Sequence, residues 1–98
     1  MFKIYKNKRT RHPAVSIKTK DNKHWYNMTL THTKPANDTS IEVNDPHPLA
    51  NPSQKSYVRR YVAKDKKSIK GHRYRTYKFS KESELKIKVY LKRKYKKR

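Results

Sequence analysis

The sequence predicts a mainly β domain: a small, strongly twisted antiparallel sheet or partly open barrel with one helix at its C-terminus. Three observations predict it. Apolar residues alternate with polar ones on both sides of Asp21-Asn22, and a second alternation runs through SYVRRYVA at 56–63. The segment after Ser80 starts with acidic residues and ends in basic ones, as a helix favours.

The first element is a β-hairpin within RTRHPAVSIKTKDNKHWYNMTLTHTK, residues 9–34. Val15 and Ile17 alternate with polar neighbours, and TKDNK has the Asp-Asn chemistry of a tight connection. Beyond it Tyr26, Met28 and Leu30 share one face, while Trp25, Asn27, Thr29 and Thr31 share the other. TKPANDTS, residues 33–40, reads as a loop, followed by a short strand in which Ile41 and Val43 flank Glu42. Asp45-Pro46-His47-Pro48 stops regular structure, because proline removes ladder donors, so 44–55 reads as an irregular loop.

Residues 56–63 read as a strand that buries Val58 and Val62 and presents Arg59 between Tyr57 and Tyr61. The i, i+4 spacing of Tyr57/Tyr61 and Val58/Val62 also suits a helix, but β-branched and aromatic content favours the strand. KDKKSIKGHRYR, with the only glycine, Gly71, reads as a basic connecting loop, and Tyr74–Phe79 as another short strand. In the last segment Leu85, Ile87, Val89 and Leu91 alternate as in a strand, whereas Ile87, Tyr90, Leu91 and Tyr95 recur at helical spacing. The ends decide: Ser80 can cap, Glu82 and Glu84 occupy the first turn, and six of the last seven residues are basic. A helix over 81–95 follows. Residues 1–91 then form a single domain, and 92–98 are a basic tail continuing the helix.

With 98 residues, 32% of them apolar and only fourteen of those Ile, Leu or Val, the core is small. Eleven aromatic residues supply enough burial to oppose the disorder that such a charged composition otherwise favours. The absence of cysteine excludes disulfides, thiolate metal sites and a Cys nucleophile. The five histidines are scattered without paired helical spacing, so no metal or other cofactor is expected. No apolar run approaches the ~20 residues that span a bilayer. MFKIYKNKRT lacks the apolar core of a signal peptide, and a cytoplasmic protein is expected.

The formal charge is +21, and it is unevenly placed. Residues 1–34 carry nine basic groups and one acidic, 35–54 none and three, and 55–98 nineteen and three. Two basic blocks thus flank a mildly acidic insert, and charge on this scale calls for a polyanionic partner, nucleic acid above all. In the second block basic residues interleave with aromatics. Arg59, Arg60, Arg73 and Arg75 can contact phosphates, while Tyr57, Tyr61, Tyr74 and Tyr77 can stack on unpaired bases or simply pack in the core. The tail adds Lys92, Arg93, Lys94, Lys96, Lys97 and Arg98. Stacking favours single strands, and RNA over DNA. A basic face could also engage an acidic protein partner, such as an antitoxin or a DNA mimic.

A second feature is the polar set Arg11, His12, Thr31 and His32. The hairpin brings its two ends together, and Arg, His and hydroxyl side chains could stabilise charge, move a proton and orient a phosphate. Around these residues, RHPAVSIKTKDNKHWYNMTLTHTKPANDTSIEV resembles the opening of the MazF/PemK-like toxins, over residues 9–43 in all. In that family an Arg-Pro-apolar strand is followed by an apolar strand, a loop and a short strand. The resemblance implies an SH3-like barrel with a terminal helix, metal-independent cleavage of single-stranded RNA, and an acidic antitoxin partner. The family's functional threonine falls on Thr31. Its arginine falls where this sequence has His12, with Arg11 one place earlier, and the family's glycine-rich first loop is missing.

Overall fold

The computed structural model describes residues 2–31, 40–43 and 56–94. Seven strands form one antiparallel sheet: β1 (Ile4–Asn7), β2 (Pro13–Ile17), β3 (His24–Thr31), β4 (Ser40–Val43), β5 (Ser56–Arg59), β6 (Ala63–Lys66) and β7 (Lys70–Arg73). The helix α1 (Lys81–Lys94) follows. The expected architecture, mainly antiparallel sheet with one C-terminal helix, is the one found. The loop expected over 44–55, the residues between Thr31 and Ser40, and the end of the tail lie outside the described residues.

The strand order is β4-β5-β3-β2-β1-β7, and β6 also pairs with β3. The hairpin β2–β3 pairs Val15 with Met28 and Ile17 with Tyr26, as its alternation requires. β5 and β6 share the other edge of β3. β5 faces Leu30 and Thr31, β6 faces His24–Asn27, and the chain breaks from the ladder at 60–62. Four residues, 59–62, thus oppose two on β3, so SYVRRYVA is two strands separated by a wide bulge rather than one.

β6 runs into β7 through a single 3-10 turn, Lys67–Ile69, yet β7 pairs with β1 at the far end of the run β6-β3-β2-β1-β7. Laid flat, four inter-strand gaps would separate β6 from β7 by about 19 Å. Four residue steps reach at most ~14 Å even when fully extended. The sheet must therefore curl until its edges approach, giving a partly open barrel. β7 lies so close to β1 that a methyl group on Gly71 would sit 3.0 Å from the Lys6 carbonyl oxygen.

One face of the sheet is apolar. Ile4, Val15, Met28, Leu30, Ile41, Val43 and Val58 pack together, joined by Phe79 and Ile87. The cross-strand partners Ile4↔Val15↔Met28 and Leu30↔Val58↔Ile41 build two rows of this core. α1 closes it with Ser83 and Ile87 buried, and Tyr90 and Leu91 packed partly against it. The Ser80 hydroxyl accepts a hydrogen bond from the Ser83 N–H at 3.2 Å, the cap expected at this end. Helical geometry splits the strand-like alternation: Ile87 is buried while Leu85 and Val89 are exposed. The Glu84 carboxylate also accepts from the Phe2 N–H at 2.9 Å, tying the start of the chain to the helix.

Two expectations from sequence change here. KDKKSIKGHRYR is no simple loop but supplies β6, the 3-10 turn and β7. Its strands bury only Ala63 and Asp65 fully, and backbone ladders rather than an apolar face hold them. Tyr74–Phe79 forms no strand. The Tyr77 N–H bonds back to the Tyr74 carbonyl at 3.3 Å, and Tyr74, Tyr77 and Phe79 pack toward the core, Tyr77 edge-on to Phe79. β1 was unexpected, and no described helix is long and apolar enough to cross a membrane.

Ile87 is the fully buried residue of α1, so Ile87→Ala is expected to cost about 2–5 kcal/mol in urea denaturation. Leu85→Ala, two positions away on the exposed side, should stay within about 0.5 kcal/mol.

Candidate nucleic-acid interface

The face of the sheet opposite the apolar core is polar at its centre. Alternation places Trp25, Asn27, Thr29 and Thr31 of β3 on it, with Asn7 of β1 and Asp65 of β6. Asn7 and Asn27 are completely buried and Asp65 nearly so. One Asp65 oxygen accepts from both Asn7 Nδ2 and Asn27 Nδ2, each at 3.0 Å, and from Arg9 Nη2 at 3.2 Å. The other accepts from Arg9 Nε at 2.7 Å. The buried carboxylate is thus fully partnered, as a buried charge must be.

The same network shapes the turn between β1 and β2. Asn7 Oδ1 accepts from the backbone N–H groups of Arg9 and Thr10 at 2.9 and 3.1 Å, while Asn7 Nδ2 also donates to Asn27 Oδ1 at 3.0 Å. Arg11 takes a left-handed conformation, φ 65°, and donates its N–H to the Asn7 carbonyl. The turn therefore leaves Arg9 and His12 beside the C-terminal end of β3.

A cleft of about 270 Å³ opens there, lined by Arg9, His12, Thr29, Thr31, Arg59 and Tyr61 among others. Arg59 projects from β5, two residues on from Tyr57 of the Tyr57↔Thr31 pair and so on the same face. It is exposed and has no ion pair among the described residues. Tyr61, 66% exposed in the bulge between β5 and β6, offers a free ring face at the rim. The arrangement presents two guanidinium groups, an imidazole, three threonine hydroxyls and an aromatic plane to one small volume. These are the groups that hold a phosphate with its attached base.

Of the residues singled out from sequence, His12 and Thr31 meet in this cleft. Arg11 is exposed on the turn and Arg9 lines the cleft in its stead. His32 lies outside the described residues. Arg60, next to Arg59, faces the other way, into a groove of about 660 Å³ between β4 and α1 that it shares with Lys86 and Arg93. Lys92 and Lys94 are exposed on the last turn of α1, and Lys96, Lys97 and Arg98 lie outside the described residues. Arg73 and Arg75 follow from β7, at the opposite end of the strand order from β5. Tyr57 is half-buried between Thr31 and Glu42. Tyr74 and Tyr77 pack toward the core, and burial pushes the Tyr74 hydroxyl above its ordinary pKa. Among the four tyrosines, Tyr61 is the one with an open face.

Sequence reasoning missed Arg9, Asn7, Asn27 and Asp65. Asp65 is the single acidic residue between 55 and 81, and an isolated carboxylate within KDKK was the available signal. Among the described residues no group of three or more His, Asp or Glu side chains comes together to hold a metal ion. No protein-family model matches the chain, and no curated protein or solved structure matches it either.

The Arg9 hydrogen bonds, helped by those from Asn27 and Asn7, hold the Asp65 carboxyl below the usual carboxylate range against the opposing effect of burial. A depressed folded-state pKa contributes stability that is present above the unfolded value of about 3.9 and is lost as pH falls through the folded value. Asp21, lowered chiefly by the Lys23 backbone N–H, acts in the same direction. Asp65→Asn should therefore flatten, without abolishing, the loss of stability measured between pH 5 and pH 2. Asp65→Ala, which strands two buried amides, should cost about 3 kcal/mol at pH 7.

Proposed function

We propose that this protein binds single-stranded nucleic acid, RNA in preference to DNA, seating a phosphate between Arg59, Arg9 and the Thr31 hydroxyl and stacking a base on Tyr61. The observation that carries the reading is the convergence of Arg9, His12, Thr31, Arg59 and Tyr61 on one cleft of a chain with a formal charge of +21. A hydroxyl and an imidazole beside the phosphate suit contact with the ribose 2′-OH, which distinguishes RNA from DNA. The basic residues of α1, with Arg60 on the other side of the sheet, add contacts for a strand that continues round the β4–β5 edge, without reading sequence.

A second reading, metal-independent RNA cleavage, is favoured by the presence of His12 and Thr31 in that same cleft and by the likeness of residues 9–43 to the MazF/PemK-like toxins. In it, His12 takes the proton of the 2′-hydroxyl as that oxygen attacks phosphorus. The bond from phosphorus to the 5′-oxygen breaks, leaving a 2′,3′-cyclic phosphate and a 5′-hydroxyl protonated from solvent. Arg59 meets the charge that develops on the phosphoryl oxygens.

Titrating labelled single-stranded RNA, single-stranded DNA and duplex DNA across a range of salt tests the first reading. Six to eight phosphate contacts give a slope of log affinity on log salt of roughly −4 to −7, which removal of residues 92–98 should reduce by several units. Arg59→Ala and Tyr61→Ala should each weaken RNA binding about tenfold. Affinity indifferent to salt would sink the polyanion reading and favour an acidic protein partner. Scoring the same mixtures for cleavage tests the second reading: His12→Ala should abolish product while leaving binding nearly intact, and parallel loss of binding and cleavage would reduce His12 to ligand-holding.

A further inference from the structure

The cleft occupies one end of the polar face of β3, and at the other end lies a groove of about 420 Å³ that nothing above employs. Its floor is aromatic. Trp25 donates its indole N–H to the Ser16 hydroxyl at 3.0 Å, which fixes the ring, and meets Tyr5 edge-on with centroids 6.4 Å apart. Lys3, Lys18, Lys67 and Lys70 border it, and Lys70 Nζ stands 4.1 Å over the Tyr5 ring. All four lysines are exposed, and none has an ion pair among the described residues.

One carboxylate, Asp21, also lines the groove, but its oxygens are engaged by its own turn. They accept from the Lys23 N–H at 2.8 Å, the His24 N–H at 3.2 Å and the Tyr26 hydroxyl at 2.9 Å, and one lies 3.0 Å from His24 Nδ1. Four ammonium groups thus face the groove against this single carboxylate. They stand just before β1, just after β2, in the 3-10 turn and on β7, so the curl of the sheet is what assembles them.

Trp25 and Thr31 lie on the same face of one strand, six residues and so about 20 Å apart. Between them sit the Asn7–Asn27–Asp65 network and the half-exposed Arg9. Both ends of the face are cationic beside aromatic rings, exposed Tyr61 at one and half-buried Tyr5 against buried Trp25 at the other, and a guanidinium bridges them. We infer that the lysine groove is a second subsite for the same single strand, so that the preferred ligand is an oligonucleotide running along β3 from the Arg59 cleft to Trp25. This rests on the nucleic-acid reading of the cleft. At the stacked rise of about 3.4 Å per nucleotide, 20 Å corresponds to at most about six nucleotides.

Trp25 is the only tryptophan of the chain, so its emission reports on the groove without a label. The experiment compares a dinucleotide with an octanucleotide of single-stranded RNA, using the wild-type protein, Arg59→Ala, Lys67→Gln/Lys70→Gln and the fourfold variant that adds Lys3→Gln and Lys18→Gln. Circular dichroism checks that each variant keeps the fold, as changes at exposed lysines should allow. The octanucleotide is expected to change Trp25 emission, and the dinucleotide to bind through Arg59 with little change. The fourfold variant should lose about tenfold or more in octanucleotide affinity and two to three units of salt slope, while its dinucleotide affinity stays within about twofold. The double variant should show about half of that loss of slope.

An octanucleotide that binds through Arg59 but leaves Trp25 emission and the lysine-variant slope unchanged would overturn the second subsite and leave the cleft standing. A dinucleotide that shifts Trp25 emission as fully as the octanucleotide, unaffected by Arg59→Ala, would overturn the shared strand by showing an independent nucleotide site. Failure of both oligonucleotides to bind would overturn this inference together with the proposed function.

Discussion

The buried carboxylate of Asp65 is the constraint on which the polar half of the molecule depends. A single acidic group there is tolerable only because Arg9, Asn7 and Asn27 meet it, and each of these partners is committed to something else as well. Asn7 holds the turn that carries Arg9 and His12, and Asn27 lies midway along β3 between the cleft and the groove. The carboxylate is thus a clasp joining β1, β3 and β6 at the level where an apolar face would otherwise be needed. It also fixes a guanidinium at the surface in one orientation. A lysine could not do this, having no fork to span two carboxylate oxygens.

The rest of the charge is left largely unmatched. Among the described residues the ion pair between Lys or Arg and a carboxylate is Arg9–Asp65, against a formal excess of 21 positive charges in the chain. Self-repulsion of this size works against a compact state, and the core that opposes it is small. α1 eases part of the burden, since Lys92, Arg93 and Lys94 sit where the helix dipole is negative and Glu82 and Glu84 where it is positive. A bound polyanion would remove much of the remainder, so under the proposed function folding and binding would be thermodynamically linked.

How much of this could be read from sequence follows from what kind of force shapes each part. The β2–β3 hairpin and α1 were legible because their apolar residues recur at the period of the element, and because Ser80 and the terminal charges mark the helix ends. β4 was legible from Ile41 and Val43 alone. β6 and β7 were not, since AKDK and KGHR have no apolar stripe and a strand held by its ladder leaves no periodic trace. In the cleft, Thr31 and His12 were legible because a hairpin must bring its ends together. Arg9 was hidden because its position depends on Asp65, 56 residues away, and on an asparagine turn that shifts the neighbouring Arg11 aside.

The hydrogen bond from the Phe2 N–H to Glu84 and the pairing of β1 with β7 link the two ends of the chain over 82 and about 65 residues. Such separations place closure late in folding, because the loop entropy must be met before the contact rewards it. While the chain is being made, β1 can pair with β2, but its other edge waits for β7. An open edge of this kind invites a second chain to add to it. Lys3 and Lys6 stand on that strand and at its approach, and their like charges keep a neighbouring copy away. The same cationic composition that suits a polyanionic partner thus guards the nascent sheet against its own kind until the last third of the chain arrives.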